Sequence, residues 1–563
     1  LKVVNNEARP EVRARPTPLA RTRQLLELDR EDIVVIVIYG VALGLLSLAV
    51  PIAVQSLVNT VAFGSLFQPL FVLTVLLAVA LIGSAVLRAL QVRIAEMLQR
   101  RLFVRIVAEI SGRLPRVSAP ALQAANGPEL LNRFFDVFTT QKSVASLLLG
   151  GIDALLVALV GLIVLAFYHP ALLAFDIILI LGAVVVLIPL GRGGTGTSVA
   201  ESKAKYAVAG WLEEMARHPL SFKLAGGQEF ATHRAELLAD SYLQKRDRHF
   251  RVVFRQLMGA LTIEVVASVA LLALGGILVI ERQLSIGQLV AAELIVTAVV
   301  ASIAKLGGKV EVFYDLVAAV DKLGEIFDLP LERSGGETPP RSDSDIGELV
   351  LEDIELELEE AEFPPISLRL GAGQSLSLTG APERVTSGLV AAVFGLVPPR
   401  SGRMEIDGRD TRDLALHDIR ARVAVVRSTE ILPGCIGDNL RAGNPDLTAE
   451  GAWNALAHAG IDQWVKDAPD GLETDLLADG SPLTRTQALA LTIARALAGG
   501  PSVLVLDRTL DQVSPDERVA MFDALTSPRD VSVLLVSDEP ELVDRADLKI
   551  DLSRDTSSHG EAA

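Results

Sequence analysis

Four carboxylic acids sit where ionisable groups are expensive to keep. Asp153, Asp176, Glu264 and Glu293 each fall inside a long apolar run. An ionisable side chain at membrane depth costs free energy and generally faces a cavity or the interior of a helix bundle. Two readings stay open. The acids line a polar, cation-favouring or protonatable pathway, or they are protonated or hydrogen-bonded to Ser, Thr or backbone on neighbouring helices. None of the four has an evident partner in the sequence. Other chemistry is not signalled: HExxH, CxxC and nucleophile-elbow patterns are all missing. His218 and His249 lie among charged residues and are expected to be solvated. Cys435 is the sole cysteine, which excludes a disulfide scaffold.

The elements that would position those acids are helices in a bilayer. The chain has 563 residues, 50% hydrophobic and only 21% charged, with a mean hydropathy of +0.41. That composition points to a membrane, excludes disorder, and the length calls for at least two domains. Six apolar stretches suffice to span a bilayer, at 33–59, 69–88, 144–167, 170–191, 254–280 and 285–304. The first contains Pro51, tolerable where neighbours satisfy the freed carbonyl. Connections 1–2, 3–4 and 5–6 are short and carry one basic residue, Arg282. Connections 2–3 and 4–5 are long and basic, with Arg100, Arg101 and Arg105 in one and Lys245, Arg246 and Arg248 in the other. The positive-inside rule makes those connections and both termini cytoplasmic. Rich in helix formers, they read as helices continuing out of the membrane, with reversals near Ala119–Glu129 and Ala209–Pro219.

The rest of the chain is acidic. Residues 346–563 hold 38 acidic and 19 basic side chains, a net of −19, while residues 1–345 carry +2. An acidic surface argues against a nucleic-acid partner. Apolar runs such as Ser502–Asp507 and Val531–Ser537, each followed by a turn and a helix, suggest buried strands of an α/β sheet. The expected organisation is a segment 1–29, a membrane domain 30–330, a turn-rich linker 331–346, an α/β domain 347–553 and a tail 554–563.

Three stretches of the α/β half carry a resemblance. SLSLTGAPERVTSGLVAAVFGL, DIRARVAVVRSTEILPGCIGDNL and LTRTQALALTIARALAGGPSVLVLDRTLDQVSPDE, in that order, resemble an ABC-transporter nucleotide-binding domain. SLAVPIAVQSLVNTVAFG, FKLAGGQEFATHRAELLADSY and RQLSIGQLVAAELIVTAVV are similar to the exporter-type ABC membrane domain, nearest the type I secretion and peptide-exporter branch. The resemblance implies a six-span α-helical membrane domain followed by a cytoplasmic P-loop-like α/β domain. It also implies an obligate dimer, since family members need two sets of six spans to enclose a pathway.

Position by position, the resemblance locates a site whose chemistry is altered. A phosphate loop uses glycines for close backbone approach, a Lys on the β/γ-phosphates and a hydroxyl on Mg²⁺. Gly380 and Ser387 match, but the last glycine is Val385 and the lysine position is Thr386. Lys466 and Lys549 are the only lysines after residue 345, so no neighbour replaces it. The adenine-stacking position is Leu358 and the Q-loop glutamine is Arg427. The signature LSGGQ is Leu483-Thr484-Arg485-Thr486-Gln487, without its glycines. Asp507 survives as a metal-ligand position, whereas the catalytic glutamate is Arg508, the D-loop aspartate Ser514 and the switch histidine Asp538. Arginine cannot take a proton from water. Bland roles remain open: Gly380 as a turn glycine, Asp507 as a salt-bridged strand-end acid.

The expectation is a non-hydrolysing, pseudo-ATPase ABC protein with no cofactor, acting in a bacterial inner membrane as a passive or partner-driven conduit, receptor or scaffold. Alternatives are a degenerate subunit of an ATP-powered heterodimeric exporter using Mg-ATP, and a membrane scaffold or sensor without a pathway. Its expected partners are the lipid bilayer and a second copy, or an intact ABC subunit. The introduced Arg427, Arg485 and Arg508, facing Glu383, Asp507 and Asp538, are expected to pair and hold the α/β domains of two copies together.

Overall fold

The computed structural model describes residues 17–27, 29–62, 67–124, 130, 132–340, 347–357, 363–477, 479–527 and 529–553. Leu358, most of segment 1–29, part of the linker and the tail lie outside them. The chain divides into two compact units, with the break at Pro330/Leu331.

In the first unit, six helices among the described residues are long and apolar enough to cross a membrane: Arg30–Thr60, Phe67–Arg116, Arg133–Tyr168, Pro170–Leu187, Gly227–Ile280 and Ile286–Phe327. The second and sixth run on well past their apolar stretches, and the fifth begins well before its own, so these helices continue beyond the spans. Apolar side chains lie on both sides of this unit. Leu165, Leu172, Leu271 and Val299 form its core, while Val79, Ile82, Val265 and Val269 are exposed, as a lipid-facing surface requires. Small residues let the helices close: Gly161 packs on Val299, and Gly275 on Leu289. Reversal after the fourth helix falls at His218–Gly226, later than the Pro/Gly pattern suggested, because Gly194–Arg217 stays helical throughout.

Proline and glycine shape two breaks. The first span interrupts at Ser47–Leu48, one turn before Pro51, which has no N–H to give the Ser47 carbonyl. The fourth helix ends at Leu187, earlier than the expected residue 191, and resumes at Gly194. Neighbours take up the carbonyls freed between. Arg255 donates to Leu190 O at 2.9 and 2.6 Å, the Tyr314 hydroxyl donates to Gly191 O at 3.1 Å, and Gln256 reaches Val186 O and Leu187 O at 3.4 Å. Tyr314 packs so tightly on Gly194 that a Cβ there would overlap its ring. His249 belongs to this cluster. It is buried, with Nδ1 2.9 Å from Thr197 Oγ1, contrary to the expectation of a solvated ring. Three packed helices outweigh the charged sequence around it.

Among the described residues, the second unit has three sheets. Strands β1 (Leu349–Glu355), β2 (Ile366–Leu370), β4 (Ser401–Ile406) and β5 (Arg409–Asp410) form an antiparallel sheet in the order β2-β1-β4-β5. Strands β3 (Ser375–Thr379), β6 (Val423–Val426), β9 (Val503–Asp507), β10 (Ser532–Val536) and β11 (Leu548–Asp551) form a parallel sheet in the order β11-β3-β10-β9-β6. A short hairpin pairs β7 (Gly434–Cys435) with β8 (Asp475–Leu476). Both β9 and β10 are buried at every position, which is why they read as unbroken apolar runs. Helix Glu383–Val393 follows β3 and buries Val385, Leu389, Val390 and Val393 against the sheets.

Candidate functional site

Parallel strands bring their carboxyl ends to one edge, and loops leaving that edge form the usual ligand crevice of an open α/β sheet. Gly380 follows β3, Asp538 follows β10, Arg508 follows β9 and Arg427 follows β6. Strand order therefore sets these residues in a row, and they are joined in that order. Gly380 takes φ +75°, which suits glycine, and its N–H donates to Asp538 Oδ1 at 3.1 Å. Asp538 Oδ2 pairs with Arg508 at 2.9 Å. Arg508 holds the left-handed φ of 54°, strained for a non-glycine residue, while its N–H donates to Val536 O. Asp507 pairs with Arg427 Nε at 3.1 Å, and Arg427 Nη2 donates to Ser387 O at 2.6 Å. Arg427 and Asp507, Arg508 and Asp538 thus cancel one another within one chain. Within one chain, strand adjacency already pairs these charges, which were also expected to hold two copies together.

The first turn of helix Glu383–Val393 turns two side chains into the protein. Val385 and Thr386 are buried, and Thr386 Oγ1 donates back to Glu383 O at 3.1 Å, a bond that turns it into its own helix. Burial pushes the Asp507 carboxyl above its ordinary range, opposed by Arg427 and Arg508. Asp511 is raised by burial in the same way, while accepting from Ser537 Oγ at 2.6 Å.

Residues of the signature-like stretch gather in a second cluster at two helix starts. Thr484 caps helix Arg485–Ala498, and its hydroxyl and the Gln487 side chain form a reciprocal capping box. Gln487 is thereby engaged as a helix cap. Arg485 donates to Gln512 at 2.7 Å. Thr486 and Ser514 both donate to Glu517, at 3.2 and 2.7 Å. Sequence reasoning missed Glu517, although Ser514-x-x-Glu517 has the spacing of a helix-start pair.

In the membrane unit, Asp153 is buried and accepts from Gln91 Nε2 at 2.8 Å, with Arg88 at 3.4 Å. The expectation of no evident partner fails for this acid. Gln91 and Arg88 were legible only as polar residues one turn apart where the second apolar run ends. A π-helical segment, Leu147–Ile152, precedes Asp153, and there Gly150 makes room for Lys309, which donates to Ser146 at 2.7 Å. Asp176 is buried with neither carboxyl oxygen hydrogen-bonded among the described residues. One oxygen of Glu293 is in the same position, and Glu264 is half-buried.

Six membrane-capable helices followed by a nucleotide-binding α/β unit are the fold of an exporter-type ABC half-transporter. Residues 363–510 match the family model described as ABC transporter. A solved bacterial Atm1-family ABC exporter with ATP bound superimposes with a TM-score of 0.81 at 16% identity, over 93% of this chain and 94% of that one. An uncharacterized ABC transporter ATP-binding protein, YknV of Bacillus subtilis, is 28% identical over 185 residues, 32% of this chain and 30% of that protein. A multidrug efflux ATP-binding/permease protein of Mycobacterium bovis is 34% identical over 143 residues, 25% of this chain and 12% of that protein. These curated matches span less than a third of the relatives' own lengths. The chain shares the exporter-type ABC fold, and six helices among its described residues are long and apolar enough to cross a membrane.

Proposed function

We propose that the nucleotide-binding unit is a pseudo-ATPase, and that the chain works in a bacterial inner membrane as a passive or partner-driven conduit, most simply as a homodimer. Both termini then lie on the cytoplasmic side with the basic connections. One observation carries the reading: the edge that would hold a triphosphate is neutralised by its own residues. Asp538 occupies the Gly380 amide, Arg508 and Arg427 are committed to carboxylates, and Thr386 stands in place of the phosphate lysine with its hydroxyl turned inward. An incoming triphosphate meets the Asp538 and Asp507 carboxylates and no lysine. The step itself loses its base, since Arg508 cannot accept a proton. Losing a single charge-stabilising contributor costs about 10²–10³-fold in rate, and several are gone here. Calorimetric titration of the purified chain with Mg-ATP tests the reading. Weak or undetectable binding and no phosphate release are expected, and submicromolar affinity would overturn it.

A further inference from the structure

The N-terminal helix Pro18–Glu27 is fixed to the membrane unit at both ends. Arg21 lies over Gly324, where a Cβ would overlap its guanidinium, and pairs with Asp328. Just past the helix, Asp29 accepts two hydrogen bonds of 3.0 Å from Arg105. Held this way, the helix overhangs the start of the first span and leaves a groove of about 410 Å³. Leu19, Ile33, Val34 and Phe313 form its apolar walls, and Arg23, Arg30 and Glu27 stand at its rim.

The groove opens onto the surface that faces lipid. Val34 begins a stripe of exposed apolar residues, Val34, Ile38, Val41 and Leu45, that runs along one face of the first span. Wall and stripe form one continuous apolar track from the rim into the hydrocarbon. The rim carries two arginines against one acid, Glu27. Arg30 has no ion pair among the described residues, and Arg23 has only an exposed pair with Glu27, an interaction of little strength. The neighbouring acids Asp29 and Asp32 are taken by Arg105 and Arg101.

We propose that this groove binds one anionic phospholipid, its phosphate on Arg30 and Arg23 and one acyl chain along Val34, Ile38 and Val41. Arginine suits a phosphate through paired N–H donors, and basic side chains beside a span are drawn to anionic headgroups. The lipid, and not free phosphate, is the occupant because the walls are apolar and already face the bilayer. The site depends on the chain spanning a membrane and is independent of whether the α/β unit hydrolyses ATP.

Native mass spectrometry of the full chain, titrated with dioleoylphosphatidylglycerol or dioleoylphosphatidylcholine in mild detergent, tests the proposal. One tightly retained phosphatidylglycerol is expected, with phosphatidylcholine held less well. Arg30→Ala together with Arg23→Ala should weaken phosphatidylglycerol retention about tenfold or more, several-fold for each basic side chain, and leave phosphatidylcholine unchanged. Phe313→Ala should weaken both lipids, and Arg30→Lys should retain most of the preference. Equal retention of the two lipids by the wild type would overturn the site. So would displacement of the lipid by excess inorganic phosphate, or the same loss from Arg251→Ala at an exposed arginine elsewhere.

Discussion

Replacing Arg427 by alanine tests whether the nucleotide edge is held by its own ion pairs. The substitution removes the 3.1 Å pair with Asp507 and the 2.6 Å bond to Ser387 O, leaving a carboxylate that is 6% exposed with Arg508 as its remaining cation. Breaking a fully buried pair from one side costs about 3–5 kcal/mol. Arg427 is itself 35% exposed, so water screens part of the interaction. About 2 kcal/mol is a reasonable expectation, or about 4–8 °C in Tm for a unit of this size. Trp453 and Trp464 both belong to the α/β unit, so tryptophan fluorescence follows its melting, with Trp211 reporting from the membrane unit. Adding Asp507→Asn should recover about half the loss, because an amide does not need the cation. The effect should also depend on pH. An acid whose folded pKa lies above its unfolded value destabilises the fold while ionised, and the penalty is relieved as pH falls through the folded pKa. Burial holds Asp507 on that side. The Arg427→Ala deficit should therefore be largest at neutral and alkaline pH and shrink toward acid. A variant that melts with the wild type, or one further destabilised by Asp507→Asn, would refute the reasoning.

Other outcomes follow from the same geometry. Thr386→Lys with Arg508→Glu should still not yield normal turnover, because Arg485, Thr486 and Asp538 remain; phosphate release at rates usual for ABC exporters would defeat the pseudo-ATPase reading. Gly194→Ala drives a methyl group into the Tyr314 ring and should cost about 1–3 kcal/mol, whereas Tyr314→Phe, which keeps the ring and loses the hydroxyl's bonds to Gly191 O and Gln256, should cost about 1 kcal/mol. Equal melting of the two variants would contradict the tight packing at that break. Asp547 accepts from Ser375 N at 2.8 Å and Oγ at 2.9 Å, and the backbone bond leads in holding its carboxyl below the ordinary range. Asp547→Ala should cost about 1–2 kcal/mol at neutral pH, and the difference from wild type should vanish as pH falls through that lowered pKa. Light scattering in mild detergent should give a protein mass of twice 60.0 kDa; a monomer with no co-purifying subunit would refute the homodimer.

The sequence by itself determined the properties that belong to single residues or short runs. Six apolar stretches are each long enough to cross a bilayer as a helix, and buried parallel strands had to read as unbroken Val and Leu. The substitutions at Val385, Thr386, Arg427 and Arg508 were legible too, since a missing lysine is missing in any fold. Partnerships were decided by the tertiary structure alone. Gly380 and Asp538 stand 158 residues apart in the chain, yet β3 and β10 are adjacent and their carboxyl ends meet. Whether an arginine beside two acids joins two chains or closes one depends on that strand order, which composition does not encode. Asp153 looked partnerless because Gln91 lies on another helix, and His249 looked solvated because Asp247, Arg248 and Arg251 beside it in the chain are exposed while the ring itself is buried against Thr197 of a neighbouring helix. A side chain's energy is set by what surrounds it in space, and for these residues the surroundings come from distant parts of the chain.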